Sequence, residues 1–142
     1  MLWCHIGDGV IMCDTSNGAI TLSGPENGER LNLTYFISGE FAEEHLYSSR
    51  DVPDSATAFM LCSDGAAVSV WDPENAYCYP AVHKLCRMTE QLSESESEEL
   101  LKEAIETVFR ENTEDDMSVG IMTLGREEPR RDVDLPESDL LS

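Results

Sequence analysis

Ala56 to Cys62 is a run of seven residues, Ala-Thr-Ala-Phe-Met-Leu-Cys, with no charge and a single hydroxyl. Ser63-Asp64-Gly65 closes it with residues that favour turns. A short apolar run bounded in this way reads as a buried central strand. Such a strand needs neighbours, and the rest of the chain offers them. Residues 2–14 read as two strands around Gly7-Asp8-Gly9, because Asp-Gly between apolar runs is a hairpin signal. Ala19 to Leu22 gives a short strand after the Ser16-Asn17-Gly18 turn, and Ser23 to Glu29 is a loop. Thr34 to Ser38 reads as a further strand before Gly39, Glu40 to Ser55 as irregular, and Met117 to Leu124 as the last strand.

Two helical stretches separate the last two strands. Residues 66–92 read as helix interrupted at Pro73 and Pro80, with Val82, Leu85, Cys86, Met88 and Leu92 on one stripe. Ser93 to Glu114 is the clearest helix. Ser95 with Glu98 fits a capping box, Asn112 a stop, and Leu101, Ala104, Ile105, Val108 and Phe109 fall on one face. Strands first and helices later predict an α+β fold with mainly antiparallel pairing. Gly125 to Ser142, with Pro129, Pro136 and mixed charge, reads as an acidic disordered tail.

Charge limits the function. The 142 residues carry 29 Asp and Glu against 9 Lys and Arg, a formal net charge of -20. That excludes a nucleic-acid binder working by phosphate neutralisation and speaks against docking on an anionic membrane. No apolar run approaches the ~18 residues that would span a bilayer. The N-terminus lacks the basic region of a signal peptide. Five cysteines with no Cys-x-x-Cys pair read as reduced core residues of a cytoplasmic protein, and His5, His45 and His83 are too scattered for a zinc pattern.

Two segments have the residue types for chemistry. Asp64 stands at the end of the apolar strand, before a glycine that lets the backbone turn. Asp115 and Asp116 stand at the entry to the last strand. Carboxylates at strand ends are what a hard divalent cation such as Mn²⁺ or Mg²⁺ requires: oxygen ligands on rigid backbone, with room for waters. Turn chemistry alone accounts equally for Ser63-Asp64-Gly65 and for Asp8 in its glycine turn.

At these residues the chain resembles the metal-dependent serine/threonine phosphatases of the protein phosphatase 2C type, especially their divergent bacterial members. The matching pieces are His5-Ile6-Gly7-Asp8-Gly9, Pro25-Glu26-Asn27-Gly28-Glu29 with Asn32-Leu33-Thr34-Tyr35-Phe36, Phe59-Met60-Leu61-Cys62-Ser63-Asp64-Gly65, and Asp115-Asp116-Met117-Ser118-Val119. They follow the family's order over about residues 1–124, and the chain opens inside a strand-like segment, Leu2 to Ile6. The resemblance therefore implies the C-terminal portion of a four-layer α-β-β-α sandwich whose N-terminal half is missing, followed by a tail over 125–142.

By that resemblance Asp64 and Asp115 each bind one of two Mn²⁺ or Mg²⁺ ions, with Asp116, Gly65 and Asp8 in support. The ions activate a bridging water for in-line attack on a phosphorylated serine or threonine of a protein. The family's Glu-Asp pair and its Asp-Gly-x-Gly segment have no counterpart. Asp8-Gly9-Val10-Ile11 and Asp64-Gly65-Ala66-Ala67 both depart from the latter. The isolated chain is accordingly expected to be inactive, to bind cations weakly at most, and to associate through exposed sheet edges. The alternative is a non-catalytic acidic α+β interaction module.

Overall fold

The structure, a computed structural model, describes residues 1–26, 34–40 and 42–125. In chain order the elements are β1 (Trp3–His5), β2 (Val10–Thr15), β3 (Gly18–Ser23), β4 (Tyr47–Ser49), β5 (Ala56–Cys62), α1 (Asp64–Ala67), β6 (Trp71–Asp72), β7 (Tyr77–Cys78), α2 (Pro80–Thr89), α3 (Glu94–Thr107), a 3-10 turn (Phe109–Glu111) and β8 (Val119–Thr123). The main sheet has the order β3-β2-β5-β8 and is antiparallel throughout. Two small antiparallel ribbons, β1-β4 and β6-β7, complete an α+β fold.

The apolar run Ala56–Cys62 is an interior strand, as its composition requires. Register alternation sorts its side chains. Met12, Met60 and Ile121 lie side by side across β2, β5 and β8; Met12 and Met60 are in the core beneath the helices, and the partly buried Ile121 packs against it. The neighbouring row, Ile11, Leu61 and Gly120, faces the other way, and there Leu61 is 48% exposed. α2 begins with Pro80 at its first turn and lays Val82, Leu85 and Cys86 on the sheet.

Several local expectations differ from the structure. Gly7-Asp8-Gly9 does not close a hairpin: β1 pairs with β4, and β2 pairs with β3 and β5. Gly7 adopts φ 101°, and Gly9 leaves space that a Cβ would take from the Cys62 carbonyl oxygen at 2.7 Å. The two glycines thus carry the chain from one sheet to another. The hairpin lies one turn later, where Gly18 takes φ 118° and the Thr15 hydroxyl donates to the Gly18 carbonyl at 2.7 Å.

Thr34–Ser38 is not a strand. Thr34 makes one isolated bridge, and the Gly39 N–H donates to the Phe36 carbonyl, closing a turn before a ladder forms. The stretch 66–92 contains the β6-β7 ribbon, whose turn is held by Asp72 accepting from the Glu74 N–H at 2.9 Å and from the Asn75 amide at 2.7 Å. On α2, Thr89 is buried while Met88 and the following Leu92 face outward. The capping box of α3 uses Ser93 and Glu96, two residues ahead of the expected pair, and Glu98 instead pairs with Lys102 at 2.8 Å. The tail expected over 125–142 lies, beyond Gly125, outside the described residues, as do residues 27–29 of the 23–29 loop.

The alternation on β5 has a measurable consequence. Met60→Ala is expected to lower the unfolding free energy by about 2–5 kcal/mol, because it leaves a cavity in a close-packed row. Leu61→Ala, one residue on, is expected to cost less than about 1 kcal/mol. Urea unfolding followed by circular dichroism separates the two. Equal losses would contradict the assigned faces.

Candidate functional site

The end of the main sheet where β5 stops and β8 starts is built by three cross-links. The Ser63 N–H donates to the Ser118 carbonyl at 3.0 Å, the Ser118 N–H donates to the Ser63 hydroxyl at 3.0 Å, and that hydroxyl donates to the Asp116 carbonyl at 3.4 Å. Ser63 also stands at the N-cap position of α1, with its hydroxyl spent on the other loop, so Asp64 opens that short helix beside the loop carrying Asp115 and Asp116. Gly65 makes the approach workable. A Cβ there would overlap the Asp116 carbonyl oxygen and come within 3.2 Å of the Asp115 Cβ. The turn after β5 and the loop before β8 are therefore in direct contact, and the glycine is a steric requirement of that contact.

Each carboxylate is held by its own loop. Asp64 Oδ1 accepts from the Gly65 N–H at 2.8 Å, and Asp115 Oδ1 accepts from the Asp116 N–H at 2.8 Å. Asp8 accepts from the Thr34 hydroxyl. Asp8 and Asp64 line one cavity of about 230 Å³, walled by Pro25, Val68 and Trp71 among others. The structure thus brings Asp8 to Asp64 across a cavity, and Asp64-Gly65 to Asp115-Asp116 across a loop contact. Asp116 meets Gly65 through its backbone.

Among the described residues, no three His, Cys, Asp or Glu side chains stand close enough to hold a metal ion. The carboxylates present have the oxygen chemistry for Mn²⁺ or Mg²⁺, but by themselves they do not form a closed site for the ions the resemblance implies.

A polar cluster beside Asp8 was invisible in the linear sequence. Glu26 Oε1 accepts from His45 Nδ1 at 3.0 Å and from the Tyr47 hydroxyl at 3.1 Å, and Tyr35 stacks on His45. The other oxygen, Glu26 Oε2, is buried with no hydrogen-bond partner among the described groups. The Glu26 carboxylate holds the Tyr47 phenol above its ordinary range. Burial lowers the pKa of His5, against the opposing pull of Asp8 and Glu26. Glu26 lies in one of the motifs noted above, but His45 and Tyr47 follow it by 19 and 21 residues with no local signal.

A second polar group lies under α2. Asp14 is fully buried on β2, and its carboxylate accepts from the Thr57 hydroxyl at 3.0 Å and bonds to His83 Nδ1 at 2.6 Å. Nothing in the apolar context of β2 announces that partner, 69 residues away.

The five cysteines form no disulfide; Cys13, Cys62, Cys78 and Cys86 are buried as expected of core residues, whereas Cys4 on the short strand β1 is exposed and departs from that expectation. Burial raises Cys13 to about 11 and both Cys62 and Cys86 to about 12, so their thiols stay protonated and inert. At about pH 8, iodoacetamide is expected to alkylate exposed Cys4 and to spare the other four until denaturant is added. Mass spectrometry of the labelled peptides reads this, and early labelling of Cys62 would contradict the buried assignment. Gly65→Ala is expected to cost about 1–3 kcal/mol in chemical denaturation and to shift the amide resonances of Asp115 to Ser118. Unchanged resonances there would show that the two loops do not touch.

A scan against protein-family models matches residues 1–108 to the model described as protein phosphatase 2C. Asp8, Asp64 and Gly65 fall inside the matched stretch, and Asp115 and Asp116 lie beyond it. Searches of curated proteins and of solved structures return no match. With the model covering most of the chain, and with the strand-end aspartate and its glycine standing in a structured turn, this chain belongs to the protein phosphatase 2C family.

Proposed function

We propose that this chain supplies part of a metal-dependent centre that hydrolyses phosphomonoesters, in the manner of a protein serine/threonine phosphatase. Asp64 and Asp115 act as cation ligands, while Asp116, Gly65 and Asp8 hold the site in shape. One observation carries this: pairing of β5 with β8 sets the Asp64 turn against the Asp115 loop, and Asp64 shares a cavity with Asp8. Acidic oxygen donors at rigid strand ends favour Mn²⁺ or Mg²⁺ over softer metals. Because fewer than three such donors meet among the described residues, the remaining ligands come from outside this set, and the chain alone does not turn over substrate. On this proposal residues 1–124 form the phosphatase portion, and the partner is a phosphorylated protein. Cytoplasmic residence accords with the unlinked cysteines.

The same incompleteness favours a second reading, an acidic module that binds without catalysis. Calorimetric titration with MnCl₂ separates the two. Weak uptake that disappears in both Asp64→Asn and Asp115→Asn is expected, together with no Mn²⁺-dependent hydrolysis of p-nitrophenyl phosphate. Uptake unchanged in both variants would remove the ligand assignment and leave the non-catalytic module. Robust turnover that Asp64→Asn abolishes would retain the phosphatase chemistry and overturn the incomplete site.

A further inference from the structure

One wall of the cavity shared by Asp8 and Asp64 is rigid by construction. Trp71 on β6 donates from Nε1 to the Thr21 hydroxyl at 3.0 Å, and that hydroxyl donates to the Ala76 carbonyl at 2.9 Å. The Tyr79 N–H donates to the Val70 carbonyl at 2.8 Å, so the β6-β7 ribbon is closed at its base as well as at its turn. A Cβ at Gly24 would come within 3.3 Å of the Trp71 ring. The indole is thus fixed against β3 and the loop that follows it.

Apart from the two carboxylates, the cavity of about 230 Å³ is lined by Pro25, Ala67, Val68, Trp71 and Pro73. It is smaller than the ~300 Å³ at which sites for drug-sized molecules begin, so it has room for one side chain. These five walls are apolar, and they offer little to the waters that a Mn²⁺ or Mg²⁺ ion keeps around itself.

The two carboxylates decide the charge of that side chain. Asp8 Oδ2 accepts from the Thr34 hydroxyl and Asp64 Oδ1 from the Gly65 N–H, which leaves Asp8 Oδ1 and Asp64 Oδ2 without a donor among the described residues. The ion pairs among those residues lie elsewhere and neutralise neither aspartate. Two open carboxylate oxygens beside an indole suit a cation that is planar, weakly hydrated and able to donate twice. A guanidinium meets all three conditions, and a compact, strongly hydrated ammonium does not.

We propose that this cavity binds an arginine side chain of a polypeptide partner, with its stem against the apolar wall and its guanidinium beside Trp71, shared by Asp8 and Asp64. The inference rests on the phosphatase reading in taking that partner to be a phosphorylated protein. The site then reads an arginine near the phosphorylated residue, and Asp64, which has two oxygens, serves a metal ion with the one and the guanidinium with the other.

The experiment titrates the full, ¹⁵N-labelled chain with N-acetylarginine methylamide and follows the indole N–H resonance of Trp71, identified by its loss in Trp71→Phe. A saturable shift is expected there, with the Trp3 indole unmoved. The lysine analogue is expected to bind about threefold more weakly, and the uncharged citrulline analogue at least about tenfold. Asp8→Asn is expected to weaken arginine binding about fivefold, and Val68→Lys, which adds a cation at the wall, to abolish it, with circular dichroism unchanged in both. Equal binding of the citrulline analogue, or binding untouched by both variants, would overturn the proposal, leaving an apolar hollow or unspecific charge attraction. A Trp71 resonance that moves without ligand when Arg30, Arg126, Arg130 and Arg131 are replaced by Gln would overturn it too, by making an arginine of this chain the occupant. Calorimetry with MnCl₂ separates the two readings. Mn²⁺ uptake without arginine binding overturns the arginine subsite alone, and arginine binding without Mn²⁺ uptake supports the subsite and removes the metal assignment.

Discussion

The ladder that holds β5 between β2 and β8 is the constraint on which the rest of the molecule depends. It is assembled from segments far apart in the chain, so its closure entropy has to be recovered by burial. Met12, Met60 and Ile121 provide that burial in one row, under the stripe of Val82, Leu85 and Cys86 from α2. The same register decides what stands at the sheet's end. Val10, Cys62 and Val119 are aligned, so the residues just outside them meet there: Gly9 before one strand, Ser63 after the next with Asp64 following it, Ser118 before the third. The site's geometry follows from strand pairing, and the loops add local refinement through Ser63 and Gly65.

What was legible in the linear chain was what depends on neighbours in sequence. The apolar run of β5, the strand β8, the stripe on α2 and the clearest helix could all be read, because periodicity and composition act over a few residues. Partner choice could not. Gly7-Asp8-Gly9 has the chemistry of a hairpin, and only the fold reveals that β1 leaves for another sheet. The helix cap lay at Ser93 rather than Ser95 because either serine has a glutamate three residues on, and the chain path selects between them. Asp64 and Asp115 stood out through turn chemistry, yet their approach across Gly65 is a packing fact. The pairs His45-Glu26 and His83-Asp14 join residues without any periodic relation, so no sequence pattern announced them.

The net charge of -20 is spread so that most of it stays solvated. From Ser93 to Asp116 there are ten acidic residues against two basic ones, and those on α3 lie on a helix with no fully buried residue. Glu94 and Glu96 sit in the first turn of α3, where the helix dipole favours anions. Exposed pairs such as Glu98-Lys102 contribute little to stability at ordinary salt. Most of the acidity therefore shapes solubility and the choice of partners, and only a few carboxylates shape the interior.

Asp14 is the exception, a carboxylate with no exposed surface, bound to His83 on α2 and to Thr57 on β5. Lifting α2 from the sheet would strand that charge in an apolar setting, at a cost well above that of exposing the same area of hydrocarbon. The helix and the two central strands are thereby joined into one cooperative unit. The β1-β4 ribbon, three residues to a strand and outside the main ladder, is joined to the main sheet by the part-buried bond between His5 Nδ1 and the Ser23 hydroxyl at 2.8 Å, which involves no buried carboxylate. Local opening is accordingly expected first in the short ribbon and on the Asp8 side of the cavity, and later in the sheet that carries Asp64.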